Sequence, residues 1–313
     1  MRRNLARLRP GAYAARERLE DDGAGARDIT IAVKLSVSPA RLRFDFSASA
    51  SQVRGGVNAV RAVTESAVYY AALCFCEERP PINHGCFACI DVIAPEGSVV
   101  NARRPAPVAG GNVETSQRIV DVCLAALSRA APGQAVGQSQ GTMNNLTIGS
   151  VGSDVEPFAY YETIAGGCGA DASADGADAT HSHMTNTLNT PVEALEHACP
   201  LRIEAYALRE GSGGSGQRQG GQGVVRRVRV LAPASFGLLT ERRRIRPAGV
   251  QGGGPGAAGE NRLVRADKTA LRLPAKCQGE LAPGDAIEIR TPGGGGHGGP
   301  RRGAGQGRRV SPR

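Results

Sequence analysis

The chain has 313 residues, 41% of them hydrophobic, which is enough to bury a core; with 43 glycines, 4% aromatics and no tryptophan, that core must be built from Val, Ile, Leu and Ala. A net charge of +9 does not indicate nucleic-acid binding, because nearly all the basic residues are Arg, much of the excess lies in the terminal stretches "MRRNLARLRP" and "RRGAGQGRRVSPR", and no recognition motif or aromatic interleaving accompanies it. No window approaches the ~18 to 20 apolar residues of a membrane span, no apolar region follows the basic N-terminus as a secretory signal requires, and eight irregularly spaced cysteines fit reduced thiols in the cytoplasm.

Residues 1–10 and 301–313 are expected to be basic, solvated tails around a main α+β region, 11–210, and a β-rich region, 211–300. Ile29, Ile31, Val33, Leu35 and Val37 alternate with polar or small residues, and Leu42, Phe44 and Phe46 do so after the Ser38-Pro39 break, which predicts a β-hairpin. From Asn58 to about Cys76 the pattern lengthens into a buried helix. Ile119, Val122, Cys123, Ala126 and Leu127 follow helical spacing until Pro132-Gly133. "NTPVEALEHAC" predicts a helix with Thr190 as N-cap, Pro191 first and Glu193 closing a capping box. "LRIEAYALR", "VVRRVRVL" and "ASFGLLTER" read as strands, and the chain ends in a turn, a short strand and a glycine run. The glycine-rich segment between Glu210 and Gly223 is the predicted boundary. The fold class is mixed α+β: β-rich, with a few buried helices and a β-rich C-terminal third.

Several clusters have the residue types of a chemical site. Cys74, Cys76, Cys86 and Cys89 give C-x-C and C-x-x-C, a spacing open to zinc but also to small buried thiols. "GQSQG" satisfies G-x-S-x-G around Ser139, although it lacks the strand before and the helix after that a nucleophile elbow needs. His181 and His183 form an H-x-H pair suited to proton transfer or metal ligation, or to a hydrogen-bonded loop. Glu114, Glu162 and Glu193 are candidate bases in short polar segments, Glu193 with a capping task and Glu114 in the first turn of its helix. Nowhere does Gly precede Lys, so no G-x-x-x-x-G-K-[ST] phosphate loop exists and ATP, if used, comes from another chain.

Taken together, "FDFSASASQVRGGVNA", "VIAPEGSVVN", "GNVETSQRIVD", "SQGTMNN", "YYETIAGGCGA", "HSHMTNTLNTPVE", "LLTERRR" and "TPGGGGHG" resemble the hydantoinase B/oxoprolinase family, in its order, from about Gly11 to Pro300. The family comprises B-type subunits of N-methylhydantoinases and 5-oxoprolinases and related subunits of acetone and acetophenone carboxylases. The resemblance implies an ATP-dependent cyclic-amide hydrolase acting on a lactam or hydantoin ring in a hetero-oligomer, with ATP and Mg supplied through an A-type ATPase subunit. A carboxylase-type subunit and a non-catalytic scaffold are the alternatives. It also implies Glu162, His181, His183, Asn144, Asn145 and Asn186 as catalytic candidates. Asn112, Thr142, Thr185, Thr187, Arg242 and Arg243 are the substrate-binding candidates, neutral donors and guanidiniums able to surround a polarised carbonyl or hold an anion. Two departures stand out. Ala88 and Cys89 occupy the place of an expected Arg-Pro pair. The family's long N-terminal segment, with an HLPD-type motif and a further His that resemble the carboxylases' divalent metal site, has no counterpart before residue 11. The chain is therefore expected to be the C-terminal part of a subunit, its metal site lying in that other segment.

Overall fold

The computed structural model describes residues 1–152 and 156–299. Its first half comprises α1 (Arg2–Leu5), β1 (Gly11–Asp21), β2 (Arg27–Val37), β3 (Leu42–Asp45), α2 (Arg61–Cys74), α3 (His84–Phe87), β4 (Ile90–Ile93) and α4 (Ser116–Ala130). The strands form one sheet in the order β1-β2-β3-β4, antiparallel except for the parallel β3–β4 pair. The alternation seen in the sequence has the expected result, for Ile29, Ile31, Val33, Leu35 and Val37 all face inward and are buried. Helix α4 packs over β1 and β2 and against α2, and Ile119, Val122, Cys123, Ala126 and Leu127 are sealed in this first core. Full burial of Ile119, Val122 or Leu127 contributes roughly 1.5–3 kcal/mol each.

The second half comprises β5 (Asn145–Ser150), β6 (Ala159–Glu162), α5 (Val192–Ala198), β7 (Leu201–Arg209), β8 (Gly223–Val230), β9 (Ala234–Leu239), β10 (Glu260–Val264), β11 (Ala270–Leu273), β12 (Lys276–Leu281) and β13 (Ala286–Arg290). They build two antiparallel sheets, β11-β10-β13-β8-β7 and β12-β9-β5-β6. Leu146, Ile148, Phe236 and Leu238 from one sheet and Val224, Val228, Ile287 and Ile289 from the other share a second apolar core. The C-terminal third is β-rich, as its strand patterns predict.

Three expectations are corrected. The first ten residues are docked rather than loose: Leu8 and Asn4 are buried, Asn4 Oδ1 accepts from Glu77 N, and Arg9 N donates to the Ala130 carbonyl. Helix α5 starts one residue late, with Pro191 as an N-cap that makes no side-chain capping bond, while Glu193 is exposed; the Thr190–Glu193 capping box does not form. The glycine-rich segment from Glu210 to Gly223 joins β7 to β8, neighbours in one sheet, and the two cores meet instead around residues 131–145.

The C-terminal glycine run is a structural centre. Residues 291–298 are buried throughout, and their backbone bonds to several loops: Gly167 N to Pro292 O, Gly214 N to Gly294 O, Ala170 N to Gly295 O and Val250 N to Gly296 O. Backbones approach so closely here that a Cβ on Gly294 would lie 1.8 Å from the Cys168 carbonyl oxygen, so only glycine fits. The run draws the loops at 137–145, 163–183 and 240–256 towards one another.

Candidate functional site

Residues 111–115 form a single π turn that leads into α4, a local over-wide turn that is frequent at functional sites. Glu114 in this turn and Gln117, Arg118 and Asp121 in α4 follow i, i+3, i+4, i+7 spacing, which places them on one helix face. That face points away from the apolar residues of α4, yet all four side chains are buried. The loops 139–145 and 240–243 and the 181–183 segment cover it, so a polar seam lies between the two cores.

At the start of the stripe, Glu114 Oε1 accepts from Met143 N at 3.2 Å and from Asn145 Nδ2 at 2.8 Å. Asn145 Nδ2 also donates to Leu239 O, and its Oδ1 accepts from the Tyr161 hydroxyl at 2.7 Å. Burial, with the Glu241 charge adding to it, pushes the Glu114 carboxyl up to about 8. One turn on, Gln117 Nε2 donates to the carbonyls of Ser182 and His183, fixing a loop in which His183 and Met184 have positive φ, 37° and 56°. Non-glycine residues there are strained and need such an anchor.

Deeper in the seam, Asp121 Oδ2 accepts from Arg118 Nη1 at 3.0 Å and Arg242 Nη2 at 2.7 Å, one carboxylate between two guanidiniums. Glu241 accepts from Lys276 Nζ at 2.6 Å and from Glu20 N, while Glu20 accepts from the backbone of Arg243, Arg244 and Ile245. Arg243 bonds Asn144 Oδ1, Asn261 Oδ1 and the Glu241 carbonyl, and burial lowers its guanidinium to about 10. Thr142 Oγ1 accepts from the N–H groups of Asn144 and Glu241. Asn144 donates to Gln140 and to the Ile164 carbonyl.

Thr142, Asn144, Asn145, Arg242 and Arg243 are thus brought together in one network. Glu162 lies beside it on β6, in a separate buried pair. Its oxygens accept from Arg226 Nε at 3.1 Å and Nη2 at 2.9 Å, from Tyr160 and from Asn189. His183 Nδ1 lies 3.0 Å from the Tyr70 hydroxyl, and burial lowers its imidazolium pKa. The two ring nitrogens of His181 are buried without a hydrogen-bond partner among the described residues, and desolvation lowers its pKa as well. Asn112, Asn186 and Thr187 are exposed and stand apart from the network, and Thr185 contacts Thr187 through its hydroxyl at 3.4 Å.

Ser139 is a buried acceptor for Gly169 N in an irregular segment, with no elbow around it. Cys86 and Cys89 are buried while Cys74 is exposed. Among the described residues no group of three or more His, Cys, Asp or Glu is placed to hold a metal ion. The sequence reading missed Gln117, Arg118 and Asp121; the signal was the helical spacing of "ETSQRIVD", whose polar stripe passes for a solvent face. Buried side-chain atoms with no protein hydrogen-bond partner among the described residues gather along it, among them Glu114 Oε2, Gln117 Oε1, Asp121 Oδ1, Gln140 Nε2 and Ser182 Oγ.

Fold and site together define a mixed α+β protein whose polar groups lie on a buried helix face between two cores. The family described as hydantoinase B/oxoprolinase matches residues 1–300, and the chain belongs to that family. It is 40% identical over 278 residues to 5-oxoprolinase 1 of Arabidopsis thaliana, covering 89% of this chain and 21% of that protein. An ATP-dependent caprolactamase from Pseudomonas jessenii superposes with a TM-score of 0.85 and 25% identity, over 95% of this chain and 53% of that one. A nucleotide-free acetone carboxylase shares the fold at a TM-score of 0.81 and 18% identity, over 95% of this chain and 46% of that one. The chain therefore spans about a fifth of the plant protein and about half of each solved chain. No helix among the described residues is long and apolar enough to cross a membrane.

Proposed function

We propose that this chain is the C-terminal part of a B-type subunit of an ATP-dependent cyclic-amide hydrolase, opening a lactam or hydantoin ring together with an A-type ATPase subunit in a cytoplasmic hetero-oligomer. The likeness to a caprolactamase over 95% of the chain, with family membership across residues 1–300, carries this reading. A resonance-stabilised amide is a poor electrophile; phosphorylation of its oxygen makes it a better one. The residues here do not fit that task, since no glycine precedes a lysine and the described side chains form no metal cluster. ATP, Mg and any divalent metal are assigned to the partner and to the part of the family's length that this chain does not span.

This chain's share is binding, orientation and proton movement. His183 and His181 are the proposed proton carriers, because burial favours their neutral imidazoles, each with one donor and one acceptor nitrogen. The loop carrying Thr185, Asn186 and Thr187 is assigned neutral donors for the ring, and Asn112 stands exposed in the π turn that leads into α4. Asn144, Asn145, Thr142, Arg242 and Arg243 have their donors largely engaged, so their proposed role is to position the loops. Glu162 is assigned to the same role through Arg226.

The test is reconstitution of the chain with the A-type subunit and a polypeptide covering the remaining family length. Ring-dependent ATP hydrolysis with 5-oxoproline, caprolactam or hydantoin supports the hydrolase. The shared acetone carboxylase fold favours a second reading, a carboxylase subunit, for which turnover would instead require a ketone and bicarbonate. Binding of the partner with no added activity would make the chain a scaffold.

A further inference from the structure

Beside the seam lies a cavity of ≈ 370 Å³, lined by Cys74, Leu124, Val136, Asp171, Ser173 and His183. Its size is near the lower end of the roughly 300–1,000 Å³ typical of ligand sites, suited to one small ring rather than to a nucleotide. Leu124 and Val136 give it apolar walls. His183 and Asp171 are among its polar lining groups. His183 is held at positive φ by Gln117 from below, and its Nδ1 meets the Tyr70 hydroxyl. In the tautomer in which Nδ1 accepts from the Tyr70 hydroxyl, Nε2 carries the ring proton and is a donor. Asp171 accepts Ser173 N, Ser173 Oγ and Ala174 N, all on Oδ1. These bonds hold it anionic and leave Oδ2 without a protein partner among the described residues, an acceptor.

A donor and an acceptor over apolar walls complement a cis amide, which presents its C=O and N–H on one edge; a small lactam ring is locked in that form. The Asp171 carboxylate disfavours an anionic ligand at the same place. We infer that this cavity seats the ring of a small, uncharged cyclic amide, its carbonyl accepting from His183 Nε2 and its N–H donating to Asp171 Oδ2. The inference rests on the proposed cyclic-amide function and gives that function a seat.

Cys74, solvent-accessible at the rim, serves as reporter. Iodoacetamide labelling of Cys74 in the full chain is followed by peptide mass spectrometry during titration with 2-pyrrolidinone and with caprolactam, with Cys199 as the control thiol. Saturable protection of Cys74 but not of Cys199 is expected, and the half-protecting concentration should rise about tenfold in Asp171→Asn or in His183→Phe, as loss of one hydrogen bond implies. Circular dichroism verifies that the variants fold. Absence of protection up to the solubility of the rings, or protection unchanged in both variants, overturns the inference. A complex that hydrolyses ATP with a ring while Cys74 stays unprotected rejects this seat and leaves the functional proposal standing; protection without ring-dependent turnover does the reverse.

Discussion

Glu114 gives the seam a measurable pH signature. Its carboxyl is raised from 4.5 to about 8 in the folded chain by burial and by Glu241. A folded-state pKa above the unfolded one means the native state holds the proton longer, so its contribution is fully present below about 4.5 and is lost as pH rises to about 8. Stability measured by urea unfolding should therefore fall across that window, by at most ~1.4 kcal/mol per pH unit from this group. Glu114→Gln keeps a neutral acceptor for Met143 N and should remove that part of the slope; an unchanged slope would mean Glu114 is ionised in the fold. Glu162 behaves differently, because it and Arg226 are both almost fully buried. Glu162→Ala strands a buried guanidinium and should cost about 3–5 kcal/mol in chemical denaturation, whereas replacing both partners by apolar residues should cost much less. Equal losses in the two variants would contradict the pairing.

At the scale of elements, α4 joins the two halves. Its apolar face belongs to the first core, and its polar face is bonded to the loops of the second through Glu114–Asn145, Gln117–His183 and Asp121–Arg242. Asp121→Ala leaves Arg118 and Arg242 without their shared carboxylate, for a loss of about 3–5 kcal/mol. Hydrogen exchange should quicken in both halves rather than in one, since both are clamped by that contact. The glycine run is the second joining element. Gly294→Ala would place a Cβ 1.8 Å from the Cys168 oxygen, a backbone clash that no rotamer relieves, and a destabilisation of about 3 kcal/mol or more is expected in thermal unfolding. A mild effect would show that the run yields.

Across the whole molecule, legibility followed periodicity. The β2–β3 hairpin, α2 and α4 were readable because one face of each buries apolar residues at its natural period. Strand β1 was not, because its inward positions mix Ala15 and Leu19 with charged neighbours and Glu20 is spent on the backbone of Arg243 and Arg244. Strand β10 hid for a similar reason: its buried Asn261 serves Arg243 instead of the apolar core. Polar loops rich in Asn, Thr and His were visible as a set, but not their division into a buried network and an exposed loop, which depends on contacts between residues as far apart as Glu20 and Ile245. Glycine content suggested linkers; close backbone packing, which leaves no periodic trace, made the glycines part of the interior.

On the proposed function, this chain supplies binding and proton-handling groups to a reaction driven by a neighbouring polypeptide. The most direct measurement is phosphate release by the reconstituted complex with and without a cyclic amide, each component being omitted in turn. Turnover is expected only when this chain, the A-type subunit and the ring are all present, and it should be lost in His183→Phe. Nucleotide hydrolysis by this chain alone, or a complex whose ring-dependent turnover does not need it, would rule that division of labour out.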